Sequence, residues 1–185
     1  FPYTTLFRSG FTLLEETWHR VSAALPSQDH IFIVTADQYR DTIASIFPSL
    51  PTDQIIVEPE ARGTAAAVAL ASEYIRRRDP DAIIANIASD HVIANSEAFT
   101  DILLTSFETV TKFPDRLVIM GINPTAPDTG FGYIKMGDEL GSVQGHRIFS
   151  IDSFKEKPDQ KTAEEYLKNW EYLWNAGYFI FSAKT

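Results

Sequence analysis

Acidic and basic side chains follow several apolar runs of the sequence, at positions where a folded chain could use them for chemistry. The clearest example is Ser89-Asp90-His91, which follows a long apolar run. A carboxylate at such a position can hold a hard cation, while N–H groups of the neighbouring loop meet phosphate oxygens. An aspartate after a strand is also a common turn or helix cap, so the triplet alone leaves both interpretations open.

A second candidate segment, Glu58 to Ala65, joins an apolar run to a stretch of small residues. Small side chains permit close approach of a ligand, and the N-terminus of a helix that follows could receive an anion or the ribose and base edge of a nucleotide. Alanine richness also reflects helix propensity and tight packing, which is the alternative interpretation here.

Three segments nearer the C-terminus have residue types suited to a hydroxylated, phosphorylated ligand. The segment Gly130 to Tyr133 would let backbone groups touch hydroxyls, or would form a bend at the start of a strand. The Glu156-Lys157 pair combines an acceptor with a cation, which suits sugar hydroxyls plus one phosphate, but also describes a surface ion pair. Asn175 offers an amide to a hydroxyl, or forms a turn.

The elements that must position these segments are predicted from hydrophobic periodicity. Continuous apolar runs at residues 31–34, 55–57, 82–87 and 117–120 predict buried strands, and helical stripes fill the intervals. This alternation is typical of an α/β fold, here a Rossmann-like mixed, mostly parallel sheet with helices on both faces. Because ligands collect at the carboxyl ends of such strands, we expect the polar residues after these runs to lie along one rim.

The pattern changes after Asn123, where parallel alternation ends. Two β segments are predicted near residues 133–136 and 147–154, and residues 177–181 predict a strand that returns to the sheet. Thr162 and Glu165 have the spacing of a capping box, which predicts a helix start between these segments.

Composition excludes several classes of protein. With 185 residues, of which 44% are hydrophobic, the chain can bury a sizeable core. A net charge of −9 argues against a nucleic-acid partner, because no excess of Lys and Arg is available to replace counterions. No apolar run approaches the roughly 20 residues that span a bilayer, so no membrane partner is expected. The absence of cysteine fits a cytoplasmic protein.

The two ends of the sequence predict a partial domain. Residues 1–9 resemble the in-frame translation of a sequencing adapter, and we interpret them as a non-native segment. The apolar run that ends at Phe181 stops close to Thr185 without a closing helix. Residues 10–185 are therefore expected to be one domain that is incomplete at both ends.

Taken in order, these motifs resemble the mannose-1-phosphate guanylyltransferases, which are sugar-phosphate nucleotidyltransferases. The resemblance covers about Gly10 to Thr185 and is carried by Glu58-Pro59 with Arg62, Thr64 and Ala65, by Ser89-Asp90-His91, by Gly130 to Ile134, by Phe154 with Glu156-Lys157-Pro158, and by Trp174 to Gly177. The chain departs from the family pattern at Gly63, usually Asn, and at Ala66, usually Pro. The family's Gly-x-Gly-Thr-Arg loop and following Pro-Lys do not occur in the sequence.

The resemblance implies transfer of GMP from GTP to mannose 1-phosphate, which gives GDP-mannose and pyrophosphate, with the chain as given inactive. Asp90 would bind Mg²⁺ and, with Lys157, form the catalytic set, while a second metal-binding Asp is expected beyond Thr185. The other implied contacts are, for the nucleotide, Glu58, Pro59, Arg62, Thr64, Ala65 and Ser89, and, for the sugar phosphate, Gly132, Tyr133, Glu156, Lys157 and Asn175.

Two alternatives remain open at the level of sequence. One is a related enzyme that uses dTTP, UTP or CTP with another sugar phosphate. The other is a non-catalytic homologue that binds a sugar nucleotide and regulates a partner. Whether the full-length protein forms a homo-oligomer is also left open.

Overall fold

The computed structural model describes residues 10–185, and the predicted non-native segment, residues 1–9, lies outside the described residues. Within residues 10–185 the chain forms five α-helices and seven β-strands. The elements are α1 (Leu13–Ala24), β1 (Ile33–Ala36), α2 (Arg40–Ile46), β2 (Ile55–Glu58), α3 (Thr64–Arg78), β3 (Ile83–Asn86), α4 (Ser96–Lys112), β4 (Val118–Ile122), β5 (Gly132–Val143), β6 (His146–Glu156), α5 (Gln160–Leu167) and β7 (Tyr172–Ser182).

The described chain groups into two compact units. The first contains residues 10–84, 88–104 and 182–185. In it, β1 and β2 pair in parallel, from Ile33 opposite Ile55 to Ala36 opposite Glu58. The two strands therefore end side by side, as expected for neighbouring strands whose following loops share a rim. Leu14 of α1 and Ile43 of α2 pack with Ile33 and Ile55 to form a core.

The second unit contains residues 85–87 and 105–181. Its long hairpin, β5 and β6, is antiparallel, and β7 runs antiparallel to both β4 and β5. The order of this five-stranded sheet is β3-β7-β5-β6, with β4 also paired to β7. The predicted mixed α/β fold class is confirmed: parallel pairing occurs in the first unit, and antiparallel pairing follows the change in pattern after Asn123.

Side chains cap the N-termini of α1 and α5. Thr12 caps α1 through a reciprocal box, in which its hydroxyl accepts from the Glu15 N–H and the Glu15 carboxylate accepts from the Thr12 N–H. The capping box predicted at Thr162 is wrong. Asp159 caps α5, and its carboxylate accepts a 2.8 Å hydrogen bond from the Thr162 N–H, because Thr162 is already the third residue of the helix.

The basic run Arg76-Arg77-Arg78 forms the exposed last turn of α3. Arg76 and Arg77 both bind the Glu73 carboxylate, and their hydrogen bonds lower the pKa of Glu73 to about 2. Cations at this end also suit the helix dipole. No helix of residues 10–185 is both long and apolar enough to cross a membrane.

Thr12→Ala should lower the free energy of unfolding by about 1 kcal/mol, because it removes an N-cap acceptor. The change should appear in urea as a lower midpoint with an unchanged m-value. Glu15→Gln is the matched variant, since it keeps the shape of the reciprocal contact and removes the charge.

The difference in free energy of unfolding between the unsubstituted chain and Glu15→Gln should depend on pH. Hydrogen bonds from Thr12 lower the pKa of Glu15 below its ordinary 4.5. The charge of Glu15 therefore stabilises the fold above pH 4.5, and this advantage is lost as the pH falls through the lowered pKa. Equal stability of Glu15→Gln and the unsubstituted chain at pH 7 would contradict this assignment.

Candidate functional site

A cavity of about 410 Å³ lies where β2 ends and the chain enters α3. It is lined by Glu58, Pro59, Glu60, Arg62, Ala66 and Leu70. Three of these, Glu58, Pro59 and Arg62, are residues predicted from the sequence to contact a nucleotide. Ala66 and Leu70 were missed, although their separation of four residues places them on one face of α3.

Arg62 provides a cation at this cavity, and a bound ligand could compete for it with its present partner. The Arg62 guanidinium lies 2.6 Å from the Glu60 carboxylate, and both side chains are mostly exposed. Exposed pairs of this kind contribute only about 0–1 kcal/mol, so an anion could replace Glu60 at little cost. Thr64 and Ala65 lie on the first turn of α3, outside the lining of the cavity.

The loop after β3 presents Asp90 to solvent. Its side chain is 66% exposed, and His91 Nε2 lies 3.6 Å from Asp90 Oδ1. Ser89 is half-buried beside it. Within the described residues, no group of three or more His, Cys, Asp or Glu side chains is arranged to hold a metal ion. Asp90 is thus an accessible carboxylate that does not belong to such a group of ligands.

In the second unit, the hairpin register brings Gly132 opposite Glu156. A methyl group on Gly132 would lie 2.6 Å from Glu156 Oε2 and 2.8 Å from Phe154 Cζ. The lack of a side chain at position 132 therefore makes room for the Glu156 carboxylate and the Phe154 ring. Any side chain at position 132 would displace the ends of these two exposed side chains.

Lys157 leaves the end of β6 with a backbone φ of +43°, which is uncommon for a residue with a side chain. Its N–H donates to the Phe131 carbonyl at 3.2 Å, and its Nζ lies 3.9 Å from Glu156 Oε1. The hairpin thus brings Gly132, Glu156 and Lys157 to one end, with both charged groups exposed.

Tyr133 and Asn175, the other two residues of this unit that were predicted to contact the sugar phosphate, both form hydrogen bonds within the protein. Tyr133 is 1% exposed, its hydroxyl donates to the Asp128 carbonyl at 3.0 Å, and its ring packs beside Tyr166. Its ring is therefore part of the core. Asn175 Oδ1 accepts from the Gly177 N–H at 2.9 Å, which leaves the amide NH₂ group for other contacts.

The fold and these strand-end loops define a Rossmann-like α/β protein with polar groups at the carboxyl ends of its strands. Residues 3–185 match the Nucleotidyl transferase family, and the chain belongs to that family. The resemblance to mannose-1-phosphate guanylyltransferases is likewise confirmed. The chain is 36% identical over 180 residues to a mannose-1-phosphate guanylyltransferase of Klebsiella pneumoniae and 36% identical over 180 residues to one of Escherichia coli strain K12.

These matches cover 94% and 95% of this chain but only 36% and 37% of the relatives, so the chain spans little more than a third of their length. A solved structure titled mannose-1-phosphate geranyltransferase, from Thermus thermophilus, aligns with a TM-score of 0.79 and 25% identity over 98% of this chain and 50% of its own. A mannose-6-phosphate isomerase from Helicobacter pylori, 22% identical over 99% of this chain and 66% of its own, shares the fold at a TM-score of 0.79.

Gly63→Ala should destabilise the cavity loop by about 1–3 kcal/mol even though nothing lies within 4 Å of the added methyl group. Gly63 has φ 87° and ψ 171°, a conformation almost restricted to glycine. Gly63→Asn should cost as much, because asparagine tolerates the left-handed helical region and not this one. The midpoint of urea unfolding measures the stability of both variants. Ala61→Ser is the control, and its midpoint should hardly change. A neutral Gly63→Asn would contradict the assigned backbone.

Proposed function

We propose that this chain is the portion of a mannose-1-phosphate guanylyltransferase that binds the nucleotide base side and the sugar phosphate. The observation that carries the proposal is the β2–α3 cavity. Glu58, Pro59 and Arg62 line it, and these are positions that the family motif assigns to the nucleotide. The similarity to relatives named for this activity over 94% of the chain supports the same conclusion.

The nucleotide would enter at the junction of β2 and α3. Glu58 and Pro59 would face the base and ribose, and the Arg62 guanidinium would turn from Glu60 to the nucleotide's anionic groups. N–H groups at Thr64 and Ala65 open α3, and no side chain of the N-cap residue Gly63 occupies them. Ser89 would add a hydroxyl from the loop after β3.

Asp90 fits a magnesium ligand of the kind that works with a substrate. Mg²⁺ keeps several waters and is bound through one or two carboxylates plus substrate phosphates, rather than by a cage of protein groups. An exposed carboxylate at a strand end can reach such a hydrated ion. The ion would supply positive charge that offsets charge on the reacting phosphates.

The sugar phosphate would bind at the end of the β5–β6 hairpin. Glu156 would accept hydrogen bonds from mannose hydroxyls, and Gly132 would let the sugar approach the backbone. Lys157 would bind the phosphate, which requires its ammonium group to leave the loose 3.9 Å contact with Glu156. The Asn175 amide would donate to a further hydroxyl. Tyr133 would contribute by holding the strand, because its ring is buried.

The proposed reaction is a substitution at phosphorus. An oxygen of the sugar phosphate attacks the α-phosphorus of GTP, the bond to the bridging oxygen breaks, and pyrophosphate leaves with that electron pair. The substrate provides the nucleophile, so these residues act by aligning two anions and offsetting their repulsion. We also propose a cytoplasmic site of action, in line with a sequence free of cysteine.

The test is an assay of GDP-mannose formation from GTP and mannose 1-phosphate, in a protein extended at both ends to the length of its curated relatives, here called the extended protein. We expect turnover in the extended protein and none in the 185-residue chain, which has no Gly-x-Gly-Thr-Arg segment. Ala66, which replaces the family's usual proline, lines the cavity, so UTP, dTTP and CTP are the necessary comparisons. Preference for one of them, or binding of GDP-mannose without turnover, would reject the proposal.

Asp90→Asn in the extended protein should lower kcat by about 100-fold or more, because it removes a charged metal ligand. The thermal midpoint should hardly change, since the side chain is exposed. Asp138→Asn, at an exposed position of β5, is the control and should retain full turnover. Unchanged turnover of Asp90→Asn at saturating Mg²⁺ would exclude the proposed role.

Lys157→Met should raise the KM for mannose 1-phosphate by about tenfold to a hundredfold, because a charge-assisted contact is lost. The KM for GTP should stay the same. Lys155→Met removes a neighbouring exposed lysine, near the end of β6, and should change neither value. An effect of Lys157→Met on GTP alone would contradict its assignment to the sugar phosphate.

A further inference from the structure

Arg20 is a buried charged residue that the proposed reaction does not use. It lies on α1 with a residue exposure of 5%, on the same inner face as Leu14 and Thr17. Burial of a cation in a protein interior is costly unless hydrogen bonds and favourable electrostatic contacts replace its water. Its contacts therefore indicate what this cation holds in place.

The guanidinium of Arg20 connects α1 to the segment that carries Asp90. Its Nη2 donates to the Thr17 hydroxyl at 2.9 Å and to the His91 carbonyl at 3.4 Å. Its Cζ lies 5.3 Å from the centre of the Phe99 ring, which is itself buried near the start of α4. A cation over an aromatic face is attracted by the ring quadrupole, more strongly where water is excluded.

Two of these contacts belong to one loop, residues 88–95, which we call the Asp90 loop, and to the helix that follows it. His91 is within it, next to Asp90, and Phe99 follows it in the first turns of α4. Thr17 fixes the rotamer of the guanidinium from the side of α1. Holding the His91 carbonyl limits rotation of the backbone beside Asp90, whose own side chain is mostly exposed.

We propose that Arg20 is a positioning residue: it holds the Asp90 loop in one conformation so that the Asp90 carboxylate is preorganised. The part of the inference that concerns the metal rests on the proposed function, in which Asp90 binds Mg²⁺. The part that concerns the loop does not. Groups that orient a metal ligand typically change metal affinity by about 10- to 100-fold when removed.

Hydrogen exchange of the 185-residue chain tests the loop directly. Arg20→Met keeps much of the side-chain volume and removes the charge and donors. It should speed amide exchange across residues 88–95 by about tenfold or more relative to amides of β1 and β2. Arg20→Lys should restore part of the protection. Leu14→Ala is the control, because it damages the packing of the same helix in the core with Ile33, Ile43 and Ile55.

Equal acceleration of the Asp90 loop in Arg20→Met and Leu14→Ala, relative to β1 and β2, would overturn the proposal, since loop mobility would then only follow the loss of helix packing. If Arg20→Met does not fold, Thr17→Val replaces it. This milder change removes the 2.9 Å contact that orients the guanidinium. Unchanged exchange of residues 88–95 in folded Thr17→Val would then overturn the proposal.

The extended protein tests the consequence for the metal. Arg20→Met should raise the Mg²⁺ concentration for half-maximal turnover by about tenfold or more, with the KM for mannose 1-phosphate unchanged. A fall in kcat with no change in Mg²⁺ dependence would overturn the positioning role. If the extended protein makes no GDP-mannose, the proposed function fails, while the exchange experiment still decides whether Arg20 holds the loop.

Discussion

The second unit depends on the hydrogen-bonded ladder of β7, the last strand of the chain. This strand pairs with β4 and β5 and adjoins β3 in the order of the sheet. Buried backbone groups must find partners, and these pairings set the registers of β4 and β5 against β7. Trp174 stands opposite Tyr133, which fixes the start of β5 and hence the open end of the hairpin, where Gly132 lies opposite Glu156. A one-residue slip would send each of these side chains to the opposite face of the sheet.

The local elements were predictable because each depends on residues close in sequence. Apolar runs near residues 33 and 55 became β1 and β2. The sequence predicted less well where two competing local signals lay close together. Asp159 and Thr162 are both good N-cap residues, and the structure selects Asp159. The pattern alone could not choose, because both positions allow a helix behind them.

Features of the candidate site that depend on distant contacts were harder to predict. Glu58, Pro59 and Arg62 were identifiable because they lie in one short segment after a strand and match the motif of the family that the sequence resembles. The motif that suggested Tyr133 as a ligand contact gave no sign that its ring is buried beside Tyr166, since that contact depends on where α5 packs. Ala66 and Leu70 looked like ordinary helix residues, and only the course of the loop before α3 turns them toward a cavity.

Arg20 had a sequence signal of a different kind. It falls three residues after Thr17, a helical spacing that places both residues on one face of α1. A long cation at such a position usually extends to the surface and keeps its charge in water. Here the guanidinium stays inside, where a hydroxyl, a carbonyl and an aromatic face surround it. The contacts come from α1, the Asp90 loop and α4, so the charge specifies their arrangement, which a leucine at the same position could not do.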